Sequence, residues 1–162
     1  MALEIKTALA AMVGFALTAG ASLAADTVPT TPAAKAVIAR QANYRQLGDA
    51  FAGITDEAKK DAPDKAAIAA DAAKLKALAT DLPSWFPKGS GPEAGVKTRA
   101  KAEIWTDAEG FDTAATRLRD EAAKLQEVSA AGDLEAIRAQ RRATASACKT
   151  CHDRYHEADR AN

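Results

Sequence analysis

The chain has 162 residues, 48% of them hydrophobic and 27% charged, and its 22 basic and 22 acidic residues cancel to a formal charge of zero. That length and composition suit one globular domain, and neutrality removes the electrostatic basis for binding nucleic acid or an anionic membrane surface. Aromatic residues make up only 5% of the chain and alanine is abundant, which favours closely approaching helices and leaves core volume for something other than side chains.

The first residues, MALEIK, carry a lysine and lead into the apolar run TALAAMVGFALTA, which ends in the small residues before Ala24. The run is shorter than the ~20 residues that span a bilayer. It reads as a cleaved secretory signal over residues 1–24, with Ser22 and Ala24 at the small-residue positions; an uncleaved anchor is the competing reading. Residues 25–162 are then the mature, exported domain, and no membrane attachment is expected of it. Loss of Glu4 and Lys6 leaves the charge balance untouched.

After a polar, proline-bearing lead-in, Thr31 and Pro32 make an N-cap and first-turn pair. Val37, Tyr44 and Phe51 recur every seven residues, with Leu47 and Ile54 between them, so an amphipathic helix is expected to run to about Gly53. The same register turns Arg40 inward. A buried arginine needs a partner; the competing reading lets Arg40 snorkel to solvent from the helix end. The stretch TDEAKKDA reads as a connection, and Pro63 opens a second helix through Ile68, Leu75, Leu78 and Leu82, stopped by Pro83. Leu82 to Pro92 is irregular, and Trp85 and Phe86 within it are expected to form a lid on the core. A third helix carries Ile104, Phe111, Leu118 and Leu125 at one heptad position and ends at Gly132. Asp133 caps a fourth, which runs through Leu134 and Ile137 to Tyr155. No period-two strand pattern rises above noise. The fold class expected is all-α, an antiparallel up-down-up-down four-helix bundle with core sites between facing helices.

Both cysteines and one of the two histidines fall in the window Cys148-Lys149-Thr150-Cys151-His152. C-x-x-C-H is the c-type haem attachment signature. On a helix, residues three and four apart share a face, so Cys148 and Cys151 can form thioethers to one porphyrin edge while His152 reaches the iron. A redox dithiol, a zinc site recruiting His156, and a structural disulfide all compete. The first belongs in a βαβ setting, the second needs the helix abandoned, and the third leaves His152 unexplained. A covalently attached haem would fill the spare core volume, and one of its propionates is a natural partner for Arg40.

The run Arg40-Gln41-Ala42-Asn43-Tyr44 with Leu47-Gly48 and Phe51, the Leu82–Gly91 loop, Ile104-Trp105, Phe111, and Cys148 to Tyr155 together resemble the cytochrome c′ family over essentially all of residues 33–159. The resemblance implies one haem c per chain on Cys148 and Cys151, with His152 as axial iron ligand. It also implies a distal pocket of Arg40, Gln41, Tyr44 and Leu47, with Arg40 near the propionates and Tyr44 overhanging the distal face. Homodimerisation through the first helices follows from the same likeness, and export places such a protein in the periplasm. One departure is His156, which stands where a basic arginine or lysine is common in the family.

Mechanism is read by subtraction. The only methionines are Met1 and Met12, in the leader, and His156 lies one turn beyond His152 on the same helix. Neither supplies a second strong ligand to the opposite haem face, so a five-coordinate, high-spin iron is expected, open to diatomic gases. Nitric oxide is the ligand expected first, carbon monoxide a weaker one, with Tyr44 gating access. Tyr44 as a phenolate ligand is the sharper alternative. Electron transfer with an unidentified redox partner is the second function class. Enzyme activity is not expected, because a peroxidase usually uses a distal His/Arg pair.

Overall fold

A computed structural model describes residues 31–158. The expected leader, 1–24, lies outside these residues. Among them the architecture is all helical: α1 (Pro32–Glu57), α2 (Lys65–Asp81), a short α3 (Glu103–Thr106), α4 (Ala108–Ala131) and α5 (Leu134–Tyr155), with 3₁₀ turns at Leu82–Trp85 and Pro92–Ala94. The four long helices form the antiparallel bundle: α1 packs on α2, α2 on α4, and α4 on α5.

Local chemistry sets the boundaries. Thr31 Oγ1 accepts from Ala34 N at 3.1 Å, and Pro32 occupies the first turn, where its missing N–H costs nothing. α1 does not stop at Gly53 but continues to Glu57. Gly53 is a close-approach residue rather than a breaker, because a Cβ there would collide with the Asp71 carboxylate of α2. α2 begins at Lys65, with Asp64 Oδ1 accepting from Ala67 N at 3.0 Å, so Pro63 lies just outside the helix it was expected to open. The third expected helix is two. Asp107 has φ −123° and ψ 56°, which divides α3 from α4. Ile104 and Phe111 keep their seven-residue spacing across the break, and both stay buried. α4 ends on Gly132 in the left-handed region at φ 73°, where its N–H reaches Val128 O at 3.1 Å.

The two ends of the bundle differ. Ile54, Ile68, Leu125 and Ile137, one from each long helix, are fully buried at the end closed by the short connections 58–64 and 132–133. That end is filled by side chains, each stabilising by about 1.5–3 kcal/mol on burial. The other end holds the N-terminal half of α1, the C-terminal half of α5 and the long connection 82–107. Here the helices part around a cavity. Trp85, at 9% exposure, and half-buried Phe86 lid this end, as expected of the loop aromatics.

Candidate haem site

The cavity has a volume of about 1050 Å³ and lies where α1 faces α5. α5 presents Cys148, Cys151, His152 and Tyr155 to it, and α1 presents Arg40, Gln41, Tyr44, Leu47, Gly48 and Phe51. Every site residue expected from the sequence therefore lines one space. α5 is held at both ends. Asp133 Oδ1 accepts from Glu135 N and Ala136 N at 3.0 and 3.2 Å. At the other end the chain turns extended at His156, which pairs as an isolated antiparallel bridge with Ala100. Lys101 N donates to Tyr155 O at 3.0 Å and Glu157 N to Arg99 O at 2.8 Å, so a strap from the 97–101 segment takes up the helix end.

The two cysteines are free thiols, half-buried on one face of an unbroken helix. The structural disulfide is therefore not formed. Burial pushes the Cys148 thiol up, and burial with Cys148 alongside pushes Cys151 up to about 11. Both stay protonated at neutral pH, with the S–H available to add across a vinyl group. His152 stands at the cavity mouth, its ring centroid 5.1 Å from that of His156. Burial lowers its pKa, which favours the neutral imidazole that ligates iron. Among the described residues no group of three His, Cys, Asp or Glu side chains is arranged to hold a metal ion, so the zinc grouping with His156 is not assembled.

Opposite, Arg40 is buried at 3% exposure and does not snorkel. It donates to Ser90 Oγ at 3.1 Å, Ser90 O at 3.0 Å, Thr98 Oγ1 at 3.2 Å and Trp85 O at 3.4 Å, and its guanidinium lies 4.5 Å from the Phe86 ring centroid. All of these oxygens are neutral. Desolvation lowers its pKa, and among the described residues no carboxylate pairs with this buried cation, which faces the cavity. Gln41 is half-buried and donates to Lys97 O at 2.8 Å, which ties α1 to the strap. Tyr44 stands edge-on to Trp85, centroids 5.3 Å apart, and to Phe86 at 6.3 Å. Burial raises its pKa, with the cysteine thiols adding to the rise and Arg40 opposing it, so the phenol is neutral. Leu47 is both core and cavity wall.

These residues fit a haem. Gly48 lines the cavity from within a helix, yet a Cβ built there meets nothing within 4 Å, so open space lies beside this wall. The remaining wall is mostly apolar, with Phe51, Ile104, Phe111 and Leu118, and the buried Arg40 cation suits a propionate. Sequence reasoning took Phe86, Ile104, Phe111 and Leu118 as lid or core rather than pocket wall, because heptad spacing marks both alike. It missed Thr98 and Arg99, which sit in a segment with no motif and no periodicity.

Comparison with known proteins agrees. A sequence model of the family described as Cytochrome C′ matches residues 35–156. The cytochrome c′ of Rhodospirillum rubrum is 34% identical over 152 residues, covering 93% of this chain and 95% of its own. Among solved structures, the nitric oxide complex of a cytochrome c prime variant from Alcaligenes xylosoxidans superposes with a TM-score of 0.70 at 31% identity, covering 78% of this chain and 97% of the other. A cytochrome c′ described as having an unusual ligand-controlled dimer dissociation gives a TM-score of 0.72 at 27% identity, with coverage of 80% and 98%. With the C-x-x-C-H pattern on the cavity face of α5 and the α1 wall of Arg40, Tyr44, Leu47 and Phe51 opposite, the chain belongs to the cytochrome c′ family.

Proposed function

We propose that this chain is an exported, periplasmic cytochrome that binds nitric oxide, and carbon monoxide more weakly, at a five-coordinate haem c, and that it undergoes one-electron redox. Cys148 and Cys151 would carry the haem through thioethers, one haem per chain, and His152 would supply its proximal ligand. The haem supplies an iron that holds an electron and accepts a diatomic ligand. Everything else is done by side chains. Arg40 holds a propionate, Leu47 and Phe51 keep the distal side dry, and Tyr44 narrows the approach to the iron.

The observation that carries this reading is the composition of the wall opposite His152. α1 offers the Tyr44 phenol, Leu47, Phe51, Gly48 and the Arg40 and Gln41 side chains, none of them a strong iron ligand, and the chain contains only two histidines and two methionines, the latter at Met1 and Met12. A strong second ligand therefore has no source on that face. The raised Tyr44 pKa also disfavours the phenolate alternative. The bound gas named for the Alcaligenes relative supports the choice of ligand.

Electron transfer to a periplasmic redox partner is the second reading, with gas binding incidental; a haem held by Cys148, Cys151 and His152 would supply the one-electron cycling it needs. Neither reading makes the protein an enzyme. A homodimer through α1 is favoured by Ile38, a large hydrophobic residue 39% exposed on that helix, and by the dimer described for the relative. The deciding experiment titrates the purified, reduced haem protein with nitric oxide and carbon monoxide while following the Soret band. A shift saturating near one nitric oxide per haem is expected. A ferric spectrum of low-spin or tyrosinate type, or no response to low micromolar nitric oxide, overturns the proposal.

A further inference from the structure

Two tyrosines line the haem cavity, and they are chemically unlike. The Tyr44 hydroxyl makes no hydrogen bond among the described residues. Tyr155, four residues beyond Cys151 on α5 and 3% exposed, donates its hydroxyl to Asp107 Oδ2 at 2.6 Å. Asp107 sits at the non-helical junction of α3 and α4, its side chain 34% exposed, and the same oxygen takes Arg154 Nη2 at 2.7 Å. The Tyr155 ring is walled by Phe111, centroids 5.4 Å apart at 87°. The phenol thus has an apolar ring facing the cavity and a hydroxyl aimed at a carboxylate that reaches water.

A buried phenol resists losing an electron alone, because the product is a buried cation. It resists losing a proton alone for the same reason with opposite sign. Losing both together avoids either charge, provided a base already waits on the O–H. Asp107 is that base: the Tyr155 hydrogen bond first, and Arg154 after it, hold its carboxyl below the usual range, so it is ionised at neutral pH. A hydrogen bond serving only as a clip between α5 and the α3/α4 corner needs neither the charge nor the opening to solvent.

We propose that Tyr155 and Asp107 form a proton-coupled electron donor to the haem, giving a one-electron cytochrome a second oxidisable centre when it meets hydrogen peroxide. In one turnover the peroxide O–O bond breaks and the oxidant takes two electrons. Tyr155 supplies one, its O–H bond breaking and the proton passing to Asp107 Oδ2, which leaves a neutral phenoxyl radical. The other comes from ferrous haem as it returns to ferric. That proton and one more from water complete two water molecules.

This inference rests on the haem reading of the cavity, and the experiment separates the two. The full-length, haem-loaded protein is reduced, freed of reductant, mixed with one equivalent of hydrogen peroxide and freeze-quenched for paramagnetic resonance. A tyrosyl signal that changes shape with ring-deuterated tyrosine is expected. Tyr155→Phe removes it. Asp107→Asn keeps the ring and an acceptor oxygen but not the base, and slows radical formation by about a hundredfold, within the range for loss of a positioned base. Thermal midpoint and Soret band are recorded for both variants to show that each is folded and loaded. A signal of equal size in Tyr155→Phe, a wild-type rate in Asp107→Asn, or a normal Soret band with no radical overturns the proposal. A protein that never develops a Soret band overturns the haem reading beneath it.

Discussion

Tyr44 is held over the cavity by two edge-on aromatic contacts, to Trp85 at 5.3 Å and Phe86 at 6.3 Å. Each such pair is worth about 0.5–1.5 kcal/mol beyond its buried area. A ligand that must displace the ring from both partners meets an added barrier of about 1–3 kcal/mol, a slowing of about 5- to 150-fold. Replacing Tyr44 by Leu removes both contacts and should speed carbon monoxide association by that factor. Tyr44→Phe keeps the ring geometry and should stay within about twofold of the parent rate, well under the 1.4 kcal/mol that a tenfold change requires. Flash photolysis of the ferrous carbon monoxide complex measures both variants directly. A Tyr44→Leu rate equal to the parent's would show that the ring does not gate entry. A fast Tyr44→Phe would transfer the effect from packing to the hydroxyl.

Arg40→Lys keeps the charge but cannot span Ser90, Thr98 and Trp85 together; losing its charged hydrogen bonds should destabilise the protein by about 1.5–3 kcal/mol in denaturant unfolding. An unchanged midpoint would mean that the guanidinium's bonds do not outweigh its desolvation. Asp107 has a depressed folded pKa, chiefly from Tyr155, so its contribution is present above the ordinary aspartate value of 3.8 and is lost as pH falls through the lower folded value. The difference in thermal midpoint between parent and Asp107→Asn should therefore be constant near neutrality and shrink in acid, and a difference that grows in acid contradicts the assignment. Ile38→Glu should shift sedimentation from dimer toward monomer while leaving the Soret spectrum unchanged, since Ile38 lies on α1 away from the cavity.

How much of this was legible depended on how local each signal was. Cys148, Cys151 and His152 lie within five residues, so the window announced its chemistry without the fold. Arg40 turned inward because its register with Tyr44 and Leu47 required it. Its partners Ser90 and Thr98 were invisible, since they lie 50 and 58 residues away in segments without periodicity. The break at Asp107 was hidden for the opposite reason: Ile104 and Phe111 keep heptad spacing through it. Gly53 misled because a glycine in a helix reads as an end, whereas here it admits the Asp71 carboxylate. The bond from Tyr155 to Asp107 spans 48 residues, and nothing in either residue's neighbourhood foretold it.

The strap at residues 97–101 links the α5 wall of the cavity to its α1 wall. From His152 O the path runs to His156 N, through the His156–Ala100 bridge, and along the strap to Thr98 and Lys97, which receive Arg40 and Gln41 of α1. The backbone at His152 and the turn of α1 just ahead of Tyr44 are thus joined through the strap by hydrogen bonds of the chain itself. The α5 and α1 walls of the cavity share one hydrogen-bonded frame, and the 97–101 segment is its crossbar.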